Sequence, residues 1–209
     1  MKVHIEEIKR PIISRNTVMK LVITAAVLFW ISIIWNSTTE LNQQVKSASD
    51  RSLAIHDLQV EYKQEIQEWK NVLLRSKDQQ SLDKNWAQFL KAHQNVVAKA
   101  QEIVQKNDVN RIVDPIKTFI IAHSENFDQY KKSKEILISS GFASDKADAA
   151  VMGIDRPLLA HLEKSALAMA EEQKNIDERL AAETRNQIEQ SLLILALIAV
   201  LVVWMPKWL

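Results

Sequence analysis

The stretch from Leu41 to Leu73, LNQQVKSASDRSLAIHDLQVEYKQEIQEWKNVL, decides the fold. Uncharged residues recur in it at alternating steps of four and three: Leu41, Val45, Ala48, Ser52, Ile55, Gln59, Tyr62, Ile66, Trp69 and Leu73. A sustained repeat of about 3.5 residues means long helices packed nearly parallel to their neighbours, as in bundles and coiled coils. The pattern returns three times. It runs through Leu82, Trp86, Phe89, His93, Val96, Ala100 and Ile103, and again through Ile112, Ile116, Phe119, His123, Asn126 and Tyr130, with Ile120 and Phe127 widening the stripe. The last pass uses Leu159, Leu162, Ala166, Met169, Gln173, Ile176 and Leu180.

Breaks fall at Ser76 to Ser81, Asn107 to Asn110 and Ser139 to Pro157. Asp108 is a candidate cap for the third helix, and Asp155 for the fourth, with Pro157 in its first turn. Pro115 sits either at a helix start or at a kink. Two glycines and four prolines in 209 residues are too few for the turns of a sheet protein. The expected fold is all-α: an antiparallel up-down-up-down four-helix bundle, continuous with two transmembrane helices.

Those spans lie outside the heptads. LVITAAVLFWISIIW occupies Leu21 to Trp35, and LLILALIAVLVVWM occupies Leu192 to Met205. A hydrocarbon core takes about 20 apolar residues of helix, and the flanks Thr17 to Trp35 and Ile188 to Trp208 approach that length. Thr24 and Ser32 can bond carbonyls of their own helix. A cleaved signal peptide fits poorly, because two tryptophans and Asn36-Ser37-Thr38-Thr39 stand where small residues would mark a cleavage site. The domains expected are 1–16 cytoplasmic, 17–35 transmembrane, 36–190 a sensor domain and 191–208 transmembrane. Lys2, Lys9, Arg10, Arg15 and Lys20 precede the first span and Lys207 follows the second, so both termini are expected in the cytoplasm and 36–190 in the periplasm of a bacterium, at its inner membrane. Trp30, Trp35, Trp204 and Trp208 suit interfacial anchors.

A helix unbroken from Asn16 to Arg75 would make a rod of about 90 Å. Two such rods would link the bilayer to the bundle mechanically, and shifts of an ångström or two in one against the other can carry a signal. Leu53 and Val60 form a second apolar row on the first helix, and Ala25, Ala26, Ala196 and Ala199 allow close approach of spans, so a homodimer is expected.

The net charge of +1 and an exported segment close to neutral exclude a strongly basic nucleic-acid binder. Without cysteine there is no disulfide, thiol chemistry or iron–sulfur cluster. No phosphate loop, HExxH or nucleophile motif is present, and Glu171-Glu172 diverge by about 100° on a helix, so no enzyme is expected.

Two stretches, Gln67-Glu68-Trp69-Lys70-Asn71-Val72-Leu73-Leu74-Arg75 and Ala147-Asp148-Ala149-Ala150-Val151-Met152-Gly153-Ile154-Asp155-Arg156-Pro157, bring a family into view. With the layout of spans, the chain resembles the sensory half of bacterial methyl-accepting chemotaxis proteins with four-helix periplasmic domains. The resemblance implies a dimeric receptor that binds a small molecule outside and moves its last helix. It also implies a HAMP linker and a methylated cytoplasmic hairpin, for which the sequence to Leu209 holds no counterpart. The expectation is that another chain, such as a full-length chemoreceptor, supplies the output. The alternative is a ligand-free, membrane-anchored bundle that pairs with and modulates a receptor or sensor kinase.

Candidate site residues form two groups. His93 and His123 each stand fifteen residues from Asp108, so an antiparallel hairpin places them at one height, near Ile66 and Met169. They form a pH-sensing or polar core layer, or a weak metal or haem site, or simply bond to neighbours such as Gln173. No carboxylate or cysteine stands at ligand spacing beside either one, so no metal and no cofactor is assigned. At the membrane-distal end, Trp69, Lys70, Arg75, Trp86 and Arg156 are the candidates for holding a small carboxylate by charge and stacking.

Overall fold

The structure, a computed structural model, describes residues 15–107 and 109–204. Among these, five helices account for nearly everything and no strand occurs: α1 (Arg15–Arg75), α2 (Gln79–Lys106), α3 (Asn110–Ser139), α4 (Ser144–Val151) and α5 (Arg156–Trp204). The chain is all-α. Asp108, the first fourteen residues and residues 205–209 lie outside the described residues, and with them the expected cap of α3, most of the charges that argue for orientation, and the end of the second apolar run.

The chain divides into two units, 44–177 and the pair of segments 1–43 with 178–209. Within 44–177, cross-helix pairs give the helix directions. Asp57 meets Lys99 (3.0 Å), Glu61 meets Asn95 (3.4 Å) and Glu65 meets His93 (2.9 Å), so rising numbers on α1 face falling numbers on α2. Ser165 of α5 donates to the Ile112 carbonyl of α3 (3.1 Å), and Asn126 of α3 to the Ile154 carbonyl just before α5 (2.6 Å). These neighbours are antiparallel too.

Turn chemistry follows from local residues. Asp78 caps α2 by accepting from the Ser81 amide (2.7 Å), while the Asp78 amide donates back to the Ser81 hydroxyl (3.2 Å). This reciprocal box satisfies two amides that a helix start leaves bare. At the end of α3 the chain turns through Gly141 (φ 69°) and Phe142 (φ 66°), with the Phe142 amide bonded to the Leu137 carbonyl (2.8 Å). A left-handed phenylalanine is unusual, and here its ring packs against the core. The segment from Ser139 to Pro157 is more than a connection: it contains α4, held to α3 by the Ser133 hydroxyl donating to the Ala147 carbonyl (2.5 Å). Pro115 lies inside α3, buried, five residues from its start, rather than at its first turn.

The core has two apolar clusters. One gathers Ile55, Leu58, Tyr62, Val96, Ile103, Ile112, Phe119, Leu162 and Met169; the other gathers Trp69, Val72, Leu82, Phe89, Tyr130, Leu137 and Val151. Fully burying side chains of this size contributes about 1.5–3 kcal/mol each before entropy is counted. The inward stripe of α1 departs from the expected one. Ala48, Ile55, Tyr62, Trp69 and Leu73 are buried as expected, but the core also takes Leu58, Glu65 and Val72, while Gln59 and Ile66 are only half-buried. The helix is rotated by one residue at alternate positions, which carries Glu65 inside.

In the other unit the apolar side chains face outward. Leu21, Phe29, Trp35, Leu193 and Leu197 are exposed, and Ser37 donates to Glu183 (2.9 Å) and accepts from Gln187 (3.3 Å). α1 contains a segment long and apolar enough to cross a membrane, with a mean hydropathy of 1.8 and nothing of it buried. An apolar helical segment with none of its side chains buried is compatible with a lipid surrounding.

Candidate functional site: a buried Glu–His–His layer

Each helix that builds the site delivers its polar residue between members of the two apolar clusters. On α1, Glu65 lies between Tyr62 and Trp69. On α2, His93 lies between Phe89 and Val96. On α3, His123 lies between Phe119 and Tyr130. Glu65 accepts from His93 Nδ1 at Oε1 (2.9 Å) and from His123 Nε2 at Oε2 (2.6 Å). The Glu65 and His123 side chains are 2 % and 3 % exposed, and His93 is 13 % exposed.

Four rings hold the imidazoles in place. His93 and His123 stack at 4.5 Å between centroids, 18° from parallel. Phe127 lies 3.9 Å from His93 and Phe119 lies 5.3 Å from His123, each within 15° of parallel. Phe119, His123 and Phe127 are spaced by four along α3, so one face of that helix supplies three of the four rings. Tyr62 meets Phe119 and His123 edge-on, at 5.2 and 5.7 Å.

Burial pushes the Glu65 carboxyl up, but the hydrogen bonds from His123 and His93 and their positive charge outweigh it. The group is held below its ordinary value. Glu65 is therefore ionised at neutral pH and can only accept. The protons of both hydrogen bonds must then reside on His93 Nδ1 and His123 Nε2, which fixes the tautomer of either ring when neutral. The negative field of Glu65 also reaches Tyr62 and Tyr130. Burial first, and that field among others, push both phenols well above their usual range, so they remain neutral.

The sequence reading placed the two histidines at one height, and the structure stacks them. It did not see their partner. Glu65 comes from 28 residues before His93 and 58 before His123, so the absence of a nearby carboxylate in the sequence was no guide. The signal that finds it is the heptad Leu58, Glu65, Val72, in which two apolar residues seven away on either side mark an inward position. Gln173, the other suggested neighbour, instead donates to Asp177 (3.0 Å). The ligand atoms of Glu65, His93 and His123 lie within 4.8 Å of one another, a grouping of three side chains that could hold a metal ion.

The membrane-distal candidates separate into two sets. Trp69 is buried among Phe89 (5.7 Å), Tyr130 (4.9 Å) and the half-buried Trp86 (6.4 Å), in the aromatic core. Lys70, Arg75 and Arg156 are exposed, and among the described residues none of them forms an ion pair. The aromatic faces receive other cations: Lys134 stands 4.9 Å over Trp86, and Lys131 stands 5.0 Å over Phe127.

No family model matches the chain, and no solved structure matches it. A curated methyl-accepting chemotaxis protein, CtpH of Pseudomonas aeruginosa, is 23% identical to it over 158 residues. The chain resembles a chemoreceptor. The match takes in 74% of this chain and 27% of that protein, so the chain spans about a quarter of its relative's length. The likeness supports a chemotaxis-related signalling role.

Proposed function

We infer that the chain is a chemoreceptor-type sensor module, which detects a periplasmic small molecule and passes a helix displacement across the inner membrane. The observation that carries the reading is α1. One unbroken helix holds both the exposed apolar segment and Glu65, the acceptor that ties α1 to α2 and α3 in the core. Packed helices connected through a single polar layer have few ways to adjust, and a small shift at such a layer moves a whole helix rather than one side chain. The relative's name places it among chemotaxis receptors, which agrees with this use of a helical bundle.

The ligand we assign to the exposed cationic end is a small carboxylate, held by Arg75 and Lys70 with Arg156 as a further contact. All three are free of ion pairs among the described residues, so binding would not first have to break one. The module acts as a homodimer and hands its signal to a full-length chemoreceptor or another signalling chain. The reading involves neither catalysis nor nucleic acid.

The test uses the full chain in membranes and in detergent. A cysteine at Ser49 should react with an impermeant maleimide from outside intact inner membranes. A panel of small carboxylates should include one that raises the melting temperature, because a ligand that binds only the folded state stabilises it. Arg75→Ala with Lys70→Ala should abolish that rise while leaving the helical signal unchanged. Labelling only after the membrane is broken overturns the topology, and a rise that survives the double substitution moves the site elsewhere.

A further inference from the structure

We propose that Glu65, His93 and His123 form a binding site for one divalent transition metal ion of the zinc class. The site is independent of the carboxylate reading above and stands or falls by itself.

The argument begins with what a buried carboxylate usually does. It is paired with lysine or arginine, or it coordinates a metal. The ion pairs of Glu65 are with two imidazoles, and imidazole is the commonest side-chain metal ligand. Two nitrogens and a carboxylate from three helices make a donor set that suits zinc, nickel, copper or iron better than calcium or magnesium, which prefer oxygen alone. Among the described residues this is the one group of three such side chains whose ligand atoms come within 4.8 Å of one another.

Geometry agrees with occupancy. A tetrahedral ion at about 2.0–2.1 Å from nitrogen and oxygen sets its ligand atoms roughly 3.3 Å apart. The observed nitrogen–oxygen distances of 2.9 and 2.6 Å would open by less than about an ångström to admit it. The nitrogens that face the carboxylate now carry protons. An ion would be held through the lone pairs of those two nitrogens, with the remaining ring proton on the other nitrogen, His93 Nε2 and His123 Nδ1. The ion's two charges are offset by one carboxylate, and three protein ligands leave a coordination position for water or an anion. The ring stack from Phe127 through His93 and His123 to Phe119 keeps both imidazole edges turned toward α1. The exposed edge of His93 gives the ion an entry.

The test takes the full chain in detergent, without a polyhistidine tag, after treatment with a chelator. Titration with ZnCl2 and CoCl2 should give one ion per chain, and cobalt should develop the visible absorption of a tetrahedral nitrogen–oxygen site. Glu65→Gln and His93→Gln should each weaken binding by more than about 100-fold, the upper loss seen when only an outer-shell partner of a ligand is removed. His56→Gln and His161→Gln should leave it unchanged. Should the variants lose their helical signal, side-chain nitrogen NMR of the wild-type chain decides instead: zinc must shift two of the five histidines in the chain. No stoichiometric binding, binding that survives both ligand substitutions, or shifts at other histidines would overturn the site.

Discussion

Glu65 and His123 are 58 residues apart in the chain and 2.6 Å apart in the fold, both almost wholly buried. Their contact, with His93 as the third member, occupies the level where one apolar cluster ends and the next begins. A bundle does not need such a layer to be stable. Replacing a buried ionic group with well-packed apolar residues is often neutral or favourable, whereas removing one partner alone is costly.

That asymmetry gives the first prediction. In chelator, Glu65→Ala should destabilise the folded chain by about 3–5 kcal/mol, because two buried imidazole donors lose their acceptor. The triple substitution of Glu65, His93 and His123 by leucine should cost far less than the single one, and can exceed wild type by about 1–4 kcal/mol. Denaturant unfolding in detergent, followed by helical signal, measures both. A triple variant weaker than Glu65→Ala would mean that the layer itself stabilises the fold.

A second prediction concerns pH and stays at the turn between α1 and α2. Asp78 is held below its ordinary value of 3.8 by the Ser81 amide first and the Ser81 hydroxyl second. The unfolded chain therefore takes up this proton before the folded one does. The stability contributed is fully present above about pH 4 and is lost as pH falls through the lower folded value. Asp78→Asn keeps a capping oxygen and should match wild type at neutral pH while flattening this acid limb. Asp78→Ala should be weaker at every pH. Unfolding curves between neutral pH and pH 2 distinguish the three chains.

The rotation of α1 is tested by neighbouring residues. Leu58 is fully buried and Gln59 half-buried. Leu58→Ala should cost about 2–5 kcal/mol, the range for large-to-small changes in a packed core. Gln59→Ala should fall near ±0.5 kcal/mol, as surface substitutions do. Equal losses at both positions would restore the phase that the simplest heptad suggests.

These residues also show what the sequence makes legible. Fold class needs only the 3.5-residue period and the shortage of glycine and proline, both of which survive a rotation of one helix by a residue. The meeting of His93 with His123 is legible because both sit on one hairpin, where equal distance from the turn sets equal height. Glu65 is hidden for two reasons. It enters from a third helix, where no turn counts off its height, and a charged residue looks like a surface position when read alone. Only Leu58 and Val72 betray it. The short α4 is hidden for a different reason: eight residues are too few to show a period. Trp69 and Trp86 are ligand candidates in the sequence because one ends a helix beside Lys70 and the other starts the next, although core packing is the more common fate of such residues. In the fold Trp69 packs on Phe89 and Tyr130, while Trp86 packs on Phe89 and Phe127 and takes Lys134 over its ring rather than Lys70 or Arg75.

Assembly provides the last prediction. Leu53 and Val60 are 60% and 52% exposed on α1, seven residues apart and therefore on one line of the helix. Their neighbours Ile55, Leu58 and Tyr62 point into the bundle and are spent there. An apolar row left outside the core, on the same helix that bears the exposed apolar segment, suits pairing with the same row of a second copy. A two-fold axis would bring each residue near its own counterpart. Single cysteines at Leu53 and Val60 should therefore crosslink efficiently under mild oxidation in membranes. Cysteines at Ser52 and Lys63, exposed and about 80° round the helix from that row, should do so less, and cysteines at Leu58 and Tyr62 should not crosslink in the folded chain. Replacing Leu53 and Val60 together by glutamate should shift the chain to monomer in detergent, read by light scattering, without loss of helical signal. Crosslinking that is equal at all six positions reflects collision rather than an interface, and strong crosslinking at Ser52 and Lys63 alone places the interface on another face of α1.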